Sequence, residues 1–212
     1  MGSAERRDRE RQQRREEILA SARQLFDRNG YDATTIDEIV DSIELTKGAF
    51  YHHFSSKQEV LGILQFQNLE LLEGWFAEAV KSIDDPGEQL IRLGRTYLKY
   101  IQENLSPNHS MYFLLDDYRI DDLPDELRRL TRARFQRLFQ YVFDAFEKGK
   151  TSGLFRPDID TQKLTAAFWA TAAGVHAMSV KLADLMPELD AESVSEEFFK
   201  TIPYGLISRE NR

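Results

Sequence analysis

The 212-residue sequence predicts an all-α protein of about nine helices. Apolar residues recur three and four positions apart along most of the chain, the spacing of one helical face. No segment alternates apolar and polar residues for the length of a strand, and no Asn-Gly or Asp-Gly pair joins two strand-like runs. Capping and breaking residues punctuate the periodic stretches where helices would start and stop.

Residues 1–12 are polar and arginine-rich (Arg6, Arg7, Arg9, Arg11) and read as a flexible, solvated tail, because Glu5, Asp8 and Glu10 interleave with the arginines. A first helix follows through Ile18, Ala22, Leu25 and Phe26 and stops at Asn29-Gly30, where glycine tolerates a left-handed cap. Thr35 with Glu38 three residues on is a capping-box start for a short second helix that buries Ile36, Ile39, Val40 and Ile43. A third short helix opens at Thr46 and turns Phe50 and Phe54 inward. Ser56 with Glu59 begins a long helix through Leu61, Leu64, Leu72, Trp75, Phe76, Ala79 and Ile83.

Asp84-Asp85-Pro86-Gly87-Glu88 is a break and restart, with Asp85 as cap and Pro86 at the first helical position. The helix after it carries Leu90, Gly94, Tyr97, Leu98, Ile101 and Leu105. Ser106-Pro107 opens a shorter helix to about Asp117, and Pro124 sits in the first turn of a long one ending near Gly149 to Gly153. Residues 153–158 form a loop, Asp160 caps a helix to about Leu185, and a final helix spans about Ala191 to Ser208. No internal repeat is found.

Composition narrows the function classes. With no cysteine, disulfides, thiolate metal sites and cysteine nucleophiles are excluded, which suits a reducing cytoplasm. The N-terminus lacks the apolar core of a secretory peptide. The most apolar stretch, Leu164–Leu185, is interrupted by Thr165, Thr171, His176, Ser179, Lys181 and Asp184, so no membrane span is expected. There is no His-Glu-x-x-His motif and no phosphate-binding glycine loop, which argues against an enzyme and for no cofactor. His52-His53 is a poor metal site, since adjacent helical residues do not converge on one point. The net charge of −8 is uneven, −1 over residues 1–57 and −7 beyond, so any attraction for nucleic acid must be local.

Three short helices and then a long one within sixty residues are the architecture of a helix-turn-helix unit. The second helix of the pair must present small, polar and donor groups outward while its apolar side anchors it. Thr46-Lys47-Gly48-Ala49-Phe50-Tyr51-His52-His53-Phe54 does so. Gly48 and Ala49 allow close backbone approach, Lys47 can meet phosphate or a guanine edge, and Tyr51 and His52 can hydrogen-bond phosphate or base. Lys57, at the next helix start, suits a phosphate.

The run Gly30-Tyr31, Thr34-Thr35, Ile39, Leu45 to Phe54 and Lys57 resembles the DNA-binding domain of TetR-type transcriptional regulators over about residues 14–64. That resemblance implies a helix-turn-helix domain at 1–56 and a helical ligand-binding and dimerisation domain at 57–212. It implies a homodimer on double-stranded operator DNA and a small-molecule effector that releases it. Carried over by position, Thr34 or Thr35 would contact phosphate, Thr46, Lys47, Gly48, Tyr51 and His52 would face DNA, and Lys57 would hold the backbone. The sequence departs from the family in the turn, where Ile43-Glu44 replaces a small residue followed by glycine. If Glu44 adopts a positive φ there, the strain is roughly 1–2 kcal/mol.

In the larger domain the Asp160–Leu185 helix is apolar nearly all round. Phe168, Thr171, Val175, Met178 and Leu182, with Val194, Phe198 and Ile202 of the last helix, are the expected dimer seam, and Ala170, Ala172, Ala173 and Gly174 would permit close approach. The middle helices are rich in aromatics, from which Trp75, Tyr97, Tyr112, Phe139, Trp169 and His176 are the candidates to line a pocket for an apolar or aromatic effector. A helical ligand-binding or adaptor protein without sequence-specific DNA binding is the alternative.

Overall fold

In the computed structural model the described residues are 3–104, 123–182 (backbone only from 176), 194, 197–199, 201 and 205–207. They form seven named helices: α1 Ser3–Asn29, α2 Ile36–Asp41, α3 Lys47–His53, α4 Lys57–Val80, α5 Pro86–Asn104, α6 Asp125–Thr151 and α7 Thr161–Leu182. Among the described residues there is no strand, and a lone antiparallel bridge pairs Phe155 with Ile207. The all-α expectation holds. The helix expected near residues 107–117 lies outside the described residues, as does most of the last one.

The N-terminal segment differs from expectation, since α1 is helical from Ser3 rather than a loose tail to residue 12. The interleaved charges explain it. Arg6 pairs with Glu10, Gln12 with Glu16, and Arg14 with Glu17, all one helical turn apart, and such pairs support an exposed helix. The helix ends at Gly30, which takes φ +84° and donates its N–H to the Phe26 carbonyl at 2.9 Å.

The other start signals appear as read. The Ser56 hydroxyl accepts from Glu59 N–H, the Asp85 carboxylate from Glu88 N–H, and the Asp160 carboxylate from Lys163 N–H. Pro124 falls one residue before α6, where its carbonyl accepts from Arg128 N–H.

The described residues divide into two compact units, one of 3–68 with 123–130 and the other of 69–104 with 131 onward. The first is organised around Ile18, Ala22, Leu25, Phe26, Ile39, Val40, Phe50, Phe54, Val60 and Leu64, all nearly or fully buried. Leu123 and Leu127 press on Gly62 of α4 so closely that a Cβ there would lie 2.5 Å from the Leu123 side chain. In the second unit α5 packs on α7 and buries Leu90, Leu93, Tyr97, Leu98 and Ile101. Phe199 lies over Gly94 of α5 and 5.0 Å from the Phe168 ring. An ionic cluster joins α4 to α6: Arg134 meets Glu73 at 2.6 Å and Glu70 at 3.0 Å, and Arg137 meets Glu73 at 2.9 Å. No helix of the described residues is long and apolar enough to cross a membrane.

Candidate nucleic-acid interface and aromatic cluster

The interface is built on α2, a tight turn and α3. Thr35 caps α2 with the full capping box: its hydroxyl accepts from Glu38 N–H, and the Glu38 carboxylate accepts from Thr35 N–H at 2.7 Å. Donation from Thr35 N–H, and then from the Thr35 hydroxyl, holds the Glu38 carboxyl below the usual carboxylate range. In the turn Leu45 N–H donates to the Val40 carbonyl at 2.9 Å and Glu44 takes φ 55°, the one positive φ among described non-glycine residues. Thr46 then caps α3 by accepting from Ala49 N–H.

Phe50 and Phe54 are buried, 5.7 Å apart, and fix which way α3 faces. Thr46, Lys47, Gly48, Tyr51 and His52 are consequently exposed, Tyr51 by 53% with its ring edge-on to Phe50. Lys47, Gly48, Tyr51 and His52 share one side of the helix, since positions four apart stack. The surface offers an ammonium, a phenol and an imidazole around a glycine, all able to bond phosphate or base edges. Lys47 is tied to Asp37 of α2 at 2.8 Å, and that bond raises its pKa above the ordinary lysine value. Asp37 was not singled out from sequence, because ten residues and a turn separate it from Lys47.

Two expected phosphate contacts sit differently. Thr34 is wholly buried, and its hydroxyl donates to the Gly30 and Leu25 carbonyls at 2.8 and 3.3 Å, so of the threonine pair Thr35 is the exposed one. Lys57 directs its ammonium inward to the Tyr31 and Thr34 carbonyls, both at 2.7 Å, and lies over the Tyr31 ring at 4.1 Å. Burial lowers its pKa below the ordinary value, against the pull of Asp32 and Glu38. Lys57 therefore clamps the start of α4 to the α1–α2 turn, a role that a cation at a helix start does not reveal.

Three polar residues of α1 that sequence reasoning passed over brace the interface. Ser21 donates to the Ile39 carbonyl and meets the Ser42 hydroxyl at 2.6 Å. Arg15 reaches the His53 carbonyl at 2.6 Å with its guanidinium 4.4 Å from the Phe54 ring centre, and Arg23 reaches Asn68 at 2.9 Å. His53 is partly buried with an Nδ1 that has no partner among the described residues. Burial first, then His52, Arg15 and Arg11, lower its pKa.

In the second unit the aromatic candidates separate. Trp169 stacks near-parallel to Phe76 (ring centres 5.9 Å apart, 26° between planes) and Phe139 (5.2 Å, 19°), with Tyr97 edge-on at 5.5 Å. Tyr97 is 1% exposed, and burial pushes its phenol pKa up. Trp75 stands apart from Trp169's ring partners, half-buried and edge-on to Tyr100. Tyr112 and the His176 side chain lie outside the described residues.

The expected dimer seam is likewise divided. Phe168 is 2% exposed within a single chain, packed on Trp169 and Phe199, so it belongs to the protomer's own core. Ala172 and Ala173 are buried with it. Thr171, Val175 and Phe198 are half-buried and Val194 is exposed, whereas Met178, Leu182 and Ile202 have no described side chains. The open face of α7 carries Ala166 and Ala170, and a Cβ on Gly174 would meet nothing within 4 Å.

The family model for bacterial regulatory proteins of the tetR family matches residues 18–62, which span α2, the turn and α3. The HTH-type transcriptional repressor KstR2 of Mycobacterium tuberculosis is 30% identical over 149 residues, 69% of this chain and 72% of the relative. The chain belongs to the TetR family. The KstR2 repressor of Mycolicibacterium smegmatis is 29% identical over 195 residues, 91% of this chain and 90% of its own length. A solved structure of the ketosteroid transcriptional regulator KstR2 of Mycobacterium tuberculosis superposes with a TM-score of 0.70 at 24% identity, covering 92% of this chain and 96% of that one. As a TetR-family member the chain is a DNA-binding, ligand-responsive transcription regulator and not an enzyme.

Proposed function

We propose that this TetR-family chain is a repressor that binds a pseudo-palindromic operator as a homodimer and is released by a small, largely apolar effector. The exposed polar face of α3 over a buried Phe50 and Phe54 carries the reading. Thr35, Thr46, Lys47, Gly48, Tyr51 and His52 meet DNA, with Lys47 exchanging its Asp37 partner for a phosphate or base. Thr34 and Lys57 hold the helices that present those groups. Each protomer enters one major groove, with half-sites about one turn (~34–36 Å) or a multiple apart.

Self-association uses the open face of α7, where Ala166, Ala170 and Gly174 let a second helix approach closely, with Thr171, Val175 and Val194 beside them. Effector binding uses the cluster of Tyr97, Phe139 and Trp169. The relatives named as repressors favour repression, and the description of one as a ketosteroid regulator favours an effector with an apolar ring body. Release follows if the effector binds more tightly to a conformation that fits the operator poorly.

Capture of sheared genomic DNA on the purified protein at physiological salt tests this. Enrichment of a few fragments sharing an inverted repeat is the expected result, with Tyr51→Ala changing the preferred half-site. Uniform retention of fragments would overturn the operator reading and favour an adaptor without sequence-specific DNA binding.

A further inference from the structure

Trp169 is 5% exposed, and its indole Nε1 has no hydrogen-bond partner among the described residues. Phe76 and Phe139 stack near-parallel to it and Tyr97 abuts it edge-on, so aromatic packing holds the indole ring. A buried donor without an acceptor is unfavourable and rare in folded proteins. A phenylalanine would also stack on these rings, with a smaller face and no donor to satisfy. Phe139 is 39% exposed, so the cluster borders solvent on its side.

We propose that the Trp169 indole N–H is the polar recognition point of the effector site, donating to a carbonyl oxygen on an otherwise apolar ligand. A neutral carbonyl suits an apolar setting better than a carboxylate, whose burial without a counter-charge is costly. Among the described residues, Phe76, Tyr97, Phe139 and Phe168 are in ring contact with Trp169. The apolar body of the ligand lies against the aromatic rings, and the single donor selects molecules with an oxygen at the matching place. This inference rests on the effector reading above and names the chemistry that such a ligand must carry.

The chain has two tryptophans, so its indole N–H region holds two NMR signals, and Trp75→Phe assigns the one from Trp169. In the free protein the Trp169 proton is expected at the position of an indole without a hydrogen bond. Two ketones, 2-octanone and 2-acetylnaphthalene, are titrated beside their methylidene isosteres, 2-methyl-1-octene and 2-isopropenylnaphthalene. A ketone is expected to move the signal downfield while its alkene does not, and to bind roughly tenfold tighter by thermal shift. Trp169→Phe should reduce that preference to near one.

A hydrogen-bonded position in the free protein that no probe alters would mean an ordered water satisfies the donor, which overturns the proposal. Equal responses to ketone and alkene, or none to any probe, would overturn it as well. If the ketones move the Trp169 signal but leave operator affinity untouched, the recognition point stands and the effector role of the cluster falls.

Discussion

Replacing Glu44 by glycine tests the turn between α2 and α3. Glu44 holds φ 55°, which costs an L-residue about 1–2 kcal/mol relative to its preferred conformations. Its side chain is exposed, so no packing is lost on removal, and the turn bonds, Leu45 N–H to Val40 and Glu44 N–H to Asp41, involve backbone alone. Glycine relieves the strain and loses about 0.5–1 kcal/mol through the greater freedom of the unfolded chain. The net gain is about 0–1.5 kcal/mol, and its midpoint is worth about 3–6 °C in the melting temperature of a unit of fewer than a hundred residues. Glu44→Ala is the control, because it removes the charge and keeps the strained backbone. Thermal melts of both variants, with operator titrations across a salt series, separate the two contributions. Only Glu44→Gly should melt higher, while both should bind DNA more tightly. A lower melting temperature for Glu44→Gly, or an equal rise for Glu44→Ala, would refute the backbone argument.

Three further outcomes are expected. Lys57→Ala removes two ammonium–carbonyl bonds and should lower the stability of DNA-free protein by about 2 kcal/mol in urea denaturation, with unchanged stability returning Lys57 to a pure phosphate contact. His53 binds its proton less readily folded than unfolded, so below the unfolded value of 6.5 the unfolded state takes up the extra proton and stability falls as pH drops. The denaturation midpoint should therefore decline between pH 7 and 5.5, and His53→Gln should flatten that decline; an identical slope in the variant would remove His53 as its source. Arg134→Met leaves Glu73, 17% exposed, with Arg137 alone and should cost about 2 kcal/mol by the same denaturation, whereas Glu70→Gln, whose side chain is 56% exposed, should cost under about 1 kcal/mol.

Local signals in the sequence located the helix starts, because capping is a matter of three or four consecutive residues. Thr35 with Glu38, Ser56 with Glu59 and Asp85 with Glu88 each make the bond that their spacing predicts. Phe50 and Phe54 were legible as anchors of α3, and with them the exposed set on its opposite side. Long-range polar contacts were not legible. Thr34 and Lys57 carry the residue types of phosphate ligands, yet Thr34 satisfies the end of α1 and Lys57 spans twenty-three residues to reach its carbonyl. Nor could periodicity choose a core face on α7, where Phe168, Ala172 and Ala173 turn inward while Ala170 does not, because the middle of that helix is apolar or small nearly all round. The charged start of α1 failed in the opposite sense: its composition suggested a loose tail, while its pairing at one-turn spacing makes a helix.

The contact of Leu123 and Leu127 with Gly62 also sets an order of events in synthesis. Helices α1 to α3 find their partners within about forty residues of one another and can collapse as soon as they leave the ribosome. The face of α4 around Gly62 has to wait until Leu123 has been added, 61 residues later. At synthesis rates of about 5–20 residues per second that interval is about 3–12 s, during which this face of α4 lacks Leu123 and Leu127. A ribosome stalled within those 61 codons would hold a helix-turn-helix already shaped but unfinished on that side.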